Sequence, residues 1–149
     1  MMASVCLVQM PYAALERPSL ALGLLHAQVE SAGIACRSVY ANLPFARAIG
    51  IEAYVELDRS NPSALLGEWT FSEAAFRDRS PARDLYLSRL RFPPKDSPRS
   101  IFGTIHRGLD LLDILPLIRE EARRFIEELA ELVLASNPRI VGCSSTSCR

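Results

Sequence analysis

The feature that most constrains this chain is a six-residue run near its start, Ser4–Gln9 (SVCLVQ), where apolar β-formers fill successive positions instead of alternating. Side chains alternate faces along a strand, so a strand apolar at consecutive positions needs cover on both faces. That is the condition at the centre of a parallel sheet. Met10-Pro11 stops the run, because proline has no amide hydrogen to give to a ladder. Arg17-Pro18-Ser19 then opens a helix expected over Ser19–Ala32, with Leu20, Leu24, Ala27 and Ser31 on one stripe. Gly33 closes it as a C′ glycine, where a left-handed backbone costs nothing. Ile34–Tyr40 (IACRSVY) alternates and predicts a second strand. Strand, glycine-closed helix and strand make a βαβ unit over residues 1–41, whose crossover is right-handed.

Residues 42–108 have a different character and read as a helical and loop insertion. Asn42–Leu57 predicts one helix, capped by Asn42 with Pro44 in its first turn, and Gly50 inside it is a weak point. Leu66–Phe76 gathers the single tryptophan with two phenylalanines, and Trp69 is expected in a core. Ser80–Ser100 carries four prolines, with room for a short helix over Ala82–Leu90. Residues 109–149 read as a long helix followed by a last strand. The helical pattern runs from Leu109 to Ser136, and Pro116 predicts a break or kink. Ile118, Ala122, Phe125, Leu129, Leu132 and Val133 line one face, while Arg119, Glu120, Arg123, Glu127, Glu128 and Glu131 line the other. Asn137-Pro138 ends the helix, Arg139–Cys143 (RIVGC) predicts a third buried strand, and Ser144–Ser147 reads as the loop beyond it. The fold class is α/β: an incomplete Rossmann-like three-layer sandwich of about three parallel strands with a long helical insertion.

Composition narrows the function. Lys plus Arg equals Asp plus Glu at 17 each, and the basic residues are scattered, so no field favours nucleic acid or an anionic membrane. No apolar run reaches the roughly 20 residues a spanning helix needs, and Met1–Gln9 lacks the basic start and cleavage site of a signal peptide. The expectation is a cytoplasmic protein. Four cysteines and two histidines offer no metal-ligand spacing and no nucleophile–base pattern, so neither a metal site nor a catalytic residue is assigned. Cys143 is expected as a small buried hydrophobe and His26 as a surface or packing residue.

What remains is the sheet's carboxyl edge. In open α/β sheets ligands bind outside the carboxyl ends of the strands, where loop amides and helix N-termini converge. Two segments fall there, Pro11–Ser19 after the first strand and Gly142–Thr146 at the end of the third.

Val5–Tyr54, Gly67–Phe76 and Arg139–Thr146 together resemble the N-terminal region of cobalamin-binding radical SAM enzymes, most closely RiPP maturation radical SAM protein 1. The shared elements are the strand ending in Met-Pro, the Pro-Ser-Leu-x-Leu-Gly helix start, Asn-Leu-x-Phe-Ala, Gly-Glu-Trp-x-Phe and Val-Gly-x-Ser-Ser-Thr. The resemblance implies a Rossmann-like domain holding cobalamin at its sheet edge, bordered by Pro11, Tyr12, Pro18, Ser19, Ser144, Ser145 and Thr146. It also implies a separate domain with an iron–sulfur cluster and S-adenosylmethionine, acting on a ribosomally made precursor peptide, with methylation as the expected modification. The CxxxCxxC that would hold the cluster is absent from these residues, and Ser147-Cys148-Arg149 departs from the family pattern, as a truncated or frame-shifted gene would. Two readings follow. One is a partial cobalamin-binding domain, not catalytic alone, whose partner is a precursor peptide or the missing radical SAM domain. The other is a stand-alone interaction module whose Gly67–Phe102 segment captures a peptide. Either way, an uncovered third strand leaves a sheet edge open to self-association.

Overall fold

The computed structural model describes residues 4–60, 65–76, 82–91 and 111–144. Three parallel strands, β1 (Val5–Gln9), β2 (Cys36–Tyr40) and β3 (Ile140–Ser144), form one sheet in the order β2-β1-β3. The protein is mixed α/β, with the parallel sheet of a partial Rossmann-like fold. Val5 stands beside Cys36 on one side and Ile140 on the other. Every residue of β1 is buried, including both Val5 and Leu7 on one face and Cys6 and Val8 on the other. The consecutive apolar run is therefore satisfied as expected, by cover on both faces.

Helix α1 (Leu20–Ser31) covers the first of those faces. Ser19 is its N-cap and accepts a hydrogen bond from the Leu22 amide. At its other end Gly33 has φ 75°; its amide donates to the Glu30 carbonyl and that of Ile34 to the Val29 carbonyl, which completes a Schellman cap. Leu22 packs on Val5 and Leu7, with Val29, Cys36 and Tyr40 around them. Burial of a leucine in this way contributes about 2 kcal/mol. The stripe expected from Leu20, Leu24, Ala27 and Ser31 instead faces outward, with Leu20 77% exposed. Leu20 and Leu22 lie nearly opposite one another around the helix, and periodicity does not choose between two leucine lines. His26, one turn beyond Leu22, bridges the helix to the sheet: Nδ1 is 2.8 Å from Ser38 Oγ, and Nε2 is 3.3 Å from Glu30. It is a packing histidine.

The helix expected over Asn42–Leu57 is two, α2 (Asn42–Ile49) and α3 (Ile51–Asp58). Gly50 divides them at φ 90°, a backbone conformation that only glycine adopts without strain. Asn42 is the first residue of α2 and not its cap; Ala41 holds that position without a side-chain bond. Two further helices are α4 (Leu66–Ala75) and α5 (Ala82–Arg91). The last, α6 (Leu111–Leu134), runs through Pro116 without a break. A proline early in a long helix forfeits one backbone bond, which the apolar face beyond it outweighs.

Two compact units share the chain, Met1–Gly50 with Phe125–Arg149, and Ile51–Arg124. Within the second, Arg119 departs from the polar face expected for it. It is 7% exposed, pairs through Nε with Glu73 at 2.8 Å, and lies 4.4 Å over the Trp69 ring. Trp69 in turn stacks on Tyr86 at 5.0 Å, a core ring as expected. Pairing of its charge and stacking of its flat face on an aromatic ring offset the cost of burying a planar guanidinium. Burial, reinforced by the nearby Glu68 carboxylate, pushes the Tyr86 hydroxyl well above its usual range, so it stays neutral. Among the described residues no helix is long and apolar enough to cross a membrane.

The third strand is not buried as its sequence suggested. Ile140 is 62% exposed and Val141 is exposed too, because β3 pairs only with β1 and lies at the sheet's edge. The strand nevertheless fits closely where it meets β1. A Cβ on Gly142 would stand 3.1 Å from Leu7 Cδ2. Gly142→Val should therefore lower stability by about 1–3 kcal/mol through overpacking, with Gly142→Ala costing less. Urea midpoints equal to the parent's would show that Leu7 moves aside freely.

Candidate functional site

The carboxyl ends of β1 and β3 flank the point where strand order reverses, since the chain goes from β1 to β2 and then returns to β1's other side. At such a point the connections diverge and leave a crevice. The segment 10–19 follows β1 there, and its two ends are fixed. The Met10 amide donates to the Ser144 carbonyl at 2.9 Å, tying the loop's start to the end of β3. At the other end Ser19 caps α1.

Between these ends the loop is held by α2. Asn42 Nδ2 donates to the Ala14 carbonyl at 3.2 Å, and the Tyr12 ring meets Phe45 edge-on at 5.9 Å. Phe45 also packs on Phe125 of α6, with ring centroids 5.0 Å apart. Tyr12 has φ 63°, a left-handed conformation that costs a residue with a Cβ about 1 kcal/mol or more. Strain of this size persists where surrounding contacts impose it, and such positions gather at ligand sites.

Two buried amides complete the edge. Gln9 ends β1 and is 2% exposed; Asn42 follows β2 and is 3% exposed. Their side-chain oxygens, Gln9 Oε1 and Asn42 Oδ1, meet no hydrogen-bond donor among the described residues. Chemistry fixes the orientation of the Asn42 amide, because the Ala14 carbonyl only accepts and so must face Nδ2. A buried carbonyl oxygen left unmet costs about 1–3 kcal/mol.

The residues expected at this edge are placed as follows. Pro11, Tyr12, Pro18 and Ser19 all lie in the 10–19 segment, Pro11 and Tyr12 half-buried and Pro18 exposed. Ser144 belongs to β3 and not to the loop beyond it, because the strand shares its carbonyl with Met10. Ser145 and Thr146 lie outside the described residues. Gln9 and Asn42 were missed as site residues. The available signal was a polar amide ending an otherwise apolar strand, and a second just past the next strand. Comparison with protein-family models, curated proteins and solved structures returned no match.

The three cysteines among the described residues divide by strand. Cys6 is fully buried in β1, and burial raises its pKa against the lowering effect of Arg37. Cys36 is raised for the same main reason. Cys143, expected to be buried, is exposed, because it stands on the edge strand. A raised pKa leaves little thiolate near neutral pH, and the thiolate is the reactive species. Iodoacetamide at pH 8 should therefore modify Cys143 well before Cys6, as read by peptide mapping. Cys6 should react only as urea unfolds the chain; equal rates in the folded protein would contradict the buried central strand.

Proposed function

We propose that this chain is the cobalamin-binding portion of a radical SAM enzyme that methylates a ribosomally made peptide, and that it is not catalytic by itself. The observation that carries the reading is the build of one sheet edge. A loop strained at Tyr12, a helix N-terminus at Ser19 and the unmet oxygens of Gln9 and Asn42 meet at the point where strand order reverses. Buried polar groups without partners are rare in folded proteins, and a bound ligand, ion or water is a common reason for one.

The residues present fit such a cofactor, because a corrin rim carries amide groups able to meet buried amide oxygens. Pro11, Tyr12, Pro18 and Ser19 would border it from the first loop, and Ser144, Ser145 and Thr146 from the third strand. Bound there, cobalamin would supply methyl-transfer chemistry at its cobalt. The chain's own part is to hold the ring and exclude water from one side of it. Its partners in this reading are a radical SAM domain, which supplies the iron–sulfur cluster and S-adenosylmethionine, and the precursor peptide. Against peptide capture by the 67–102 segment alone stands the burial of Trp69, its most favourable contact ring.

Titration of the purified chain with hydroxocobalamin tests the proposal. The expected result is a shift in the corrinoid absorption bands and co-elution of cobalamin with protein on gel filtration. An unchanged spectrum with no retention at high micromolar cobalamin would sink it.

A further inference from the structure

The sheet has two outer strands, β2 and β3, and they are finished differently. No residue of β2 is exposed, Arg37 sits within the strand, and Ser38 is tied to His26 of α1 at 2.8 Å. A charge within an edge strand is a common guard against pairing with another chain. β3 has no such guard. Its residues Ile140–Ser144 carry no charge and no proline, and its register with β1 runs without a bulge. Among the described residues it pairs with β1 alone. Ile140 is exposed on the face that bears α1, and Val141 and Cys143 are exposed on the opposite face. Backbone direction shows what the strand offers on its free side. The Ile140 amide donates to the Ser4 carbonyl, and the Ser144 carbonyl accepts from the Met10 amide, so both residues turn their polar groups inward. In a parallel ladder alternate residues point the same way, so Gly142 turns inward with them. Val141 and Cys143 then turn their N–H and C=O groups outward. The Arg139 amide is committed to the Ser4 carbonyl at 2.9 Å and adds nothing to that outward set.

We propose that two copies of this chain join through β3, antiparallel about a twofold axis at Gly142, so that the strands of both copies make one continuous sheet. With Gly142 on the axis, Val141 lies opposite Cys143 of the second copy, and Cys143 opposite Val141 of the second copy. These are the outward-facing residues, so each donor meets an acceptor in the hydrogen-bonded positions of an antiparallel ladder. Gly142 falls at the position between them, where facing Cα atoms come to about 4.5 Å and neither copy has a Cβ. Other centres pair fewer groups. An axis at Val141 sets Cys143 against Arg139, whose amide is already taken, and an axis at Cys143 sets Val141 against a residue beyond the strand. The second copy suits this edge in charge as well. The strand is neutral, so identical strands meet without like charges opposed, and Val141 meets Cys143 on one face while Ile140 meets Ser144 on the other. Closed twofold association is also the commonest form among soluble oligomers. The proposal concerns the assembly of the chain and does not rest on the cobalamin reading.

Sedimentation velocity of the full chain over a range of concentrations, with hydrogen exchange read at Val141 and Cys143, tests the proposal. One short strand pair is a small interface, so a monomer–dimer equilibrium is expected on the order of tens of micromolar. Both amides should become protected as the dimer forms. Val141→Lys places a charge on the free edge and should weaken association at least about tenfold, with an unchanged circular dichroism spectrum. Val141→Cys, treated with oxidised glutathione, should form a disulfide to Cys143 of the second copy. The Cα atoms of a hydrogen-bonded pair stand about 5.5 Å apart, within the span of that bond. Peptide mapping of the dimer band from a non-reducing gel reads the link, and it decides the matter if Val141→Lys does not fold. A parent chain still monomeric on the order of hundreds of micromolar overturns the proposal, whether the two amides exchange freely or are covered within the chain. So does a dimer that Val141→Lys leaves intact and Val141→Cys does not cross-link. That result would move the contact to another surface, such as the exposed Leu20, Leu24 and Leu25 of α1. Assemblies larger than a dimer would mark a head-to-tail contact and overturn it as well.

Discussion

Burial of β1 on both faces is the constraint on which the sheet-bearing unit depends. Val5 and Leu7 need α1, while Cys6 and Val8 need cover from the opposite side. No antiparallel hairpin meets that requirement, because a hairpin leaves one face of its strands to water. Parallel pairing on both edges follows, with the chain leaving β1 through α1 and returning from the far side as β3. The carboxyl ends of β1 and β3 then lie side by side, and the segment after β1 has nowhere to go but over them.

That placement explains why the unusual features of this unit collect at one edge. The loop from Met10 to Ser19 is held by Ser144 of β3 and by Asn42 and Phe45 of α2, two separate stretches of sequence. Constraint from several directions is what keeps Tyr12 left-handed. Asn42 anchors the loop through its nitrogen, while its oxygen meets no hydrogen-bond donor among the described residues. An apolar residue at Gln9 would remove an unmet acceptor, whereas one at Asn42 would also break the bond that holds Ala14.

The second unit is organised on a different principle. Its core joins charge to aromatic surface, with Arg119 paired to Glu73 and laid over Trp69, and Trp69 stacked on Tyr86. Nearby, Arg91 pairs with Asp113, and Arg124 with Glu121. The exposed pairs contribute little, whereas removal of Glu73 would leave the buried Arg119 guanidinium without its counter-charge.

What the sequence determined by itself was the βαβ unit and the edge where the carboxyl ends of its strands meet. Consecutive apolar residues in SVCLVQ, Pro18-Ser19 and Gly33 each act within a few residues of chain, so strand, cap and stop were legible locally. The helix over 111–134 was legible in the same way, from its 3.6-residue apolar spacing. Four matters were decided only by tertiary structure, and each for a physical reason. Which leucine line of α1 faces the sheet depends on where the helix crosses β1, and that buried Leu22 and exposed Leu20. Gly50 ends α2 with a left-handed backbone, φ 90°, where propensity alone rates it only as a small penalty. Arg119 became a core residue because Trp69 and Glu73, 50 and 46 positions away in the chain, offer a ring and a carboxylate together. Asn42, legible as a helix cap, reaches back 28 residues to Ala14 instead. A side chain's partner across such distances is set by the fold's topology, and local sequence carries no record of it.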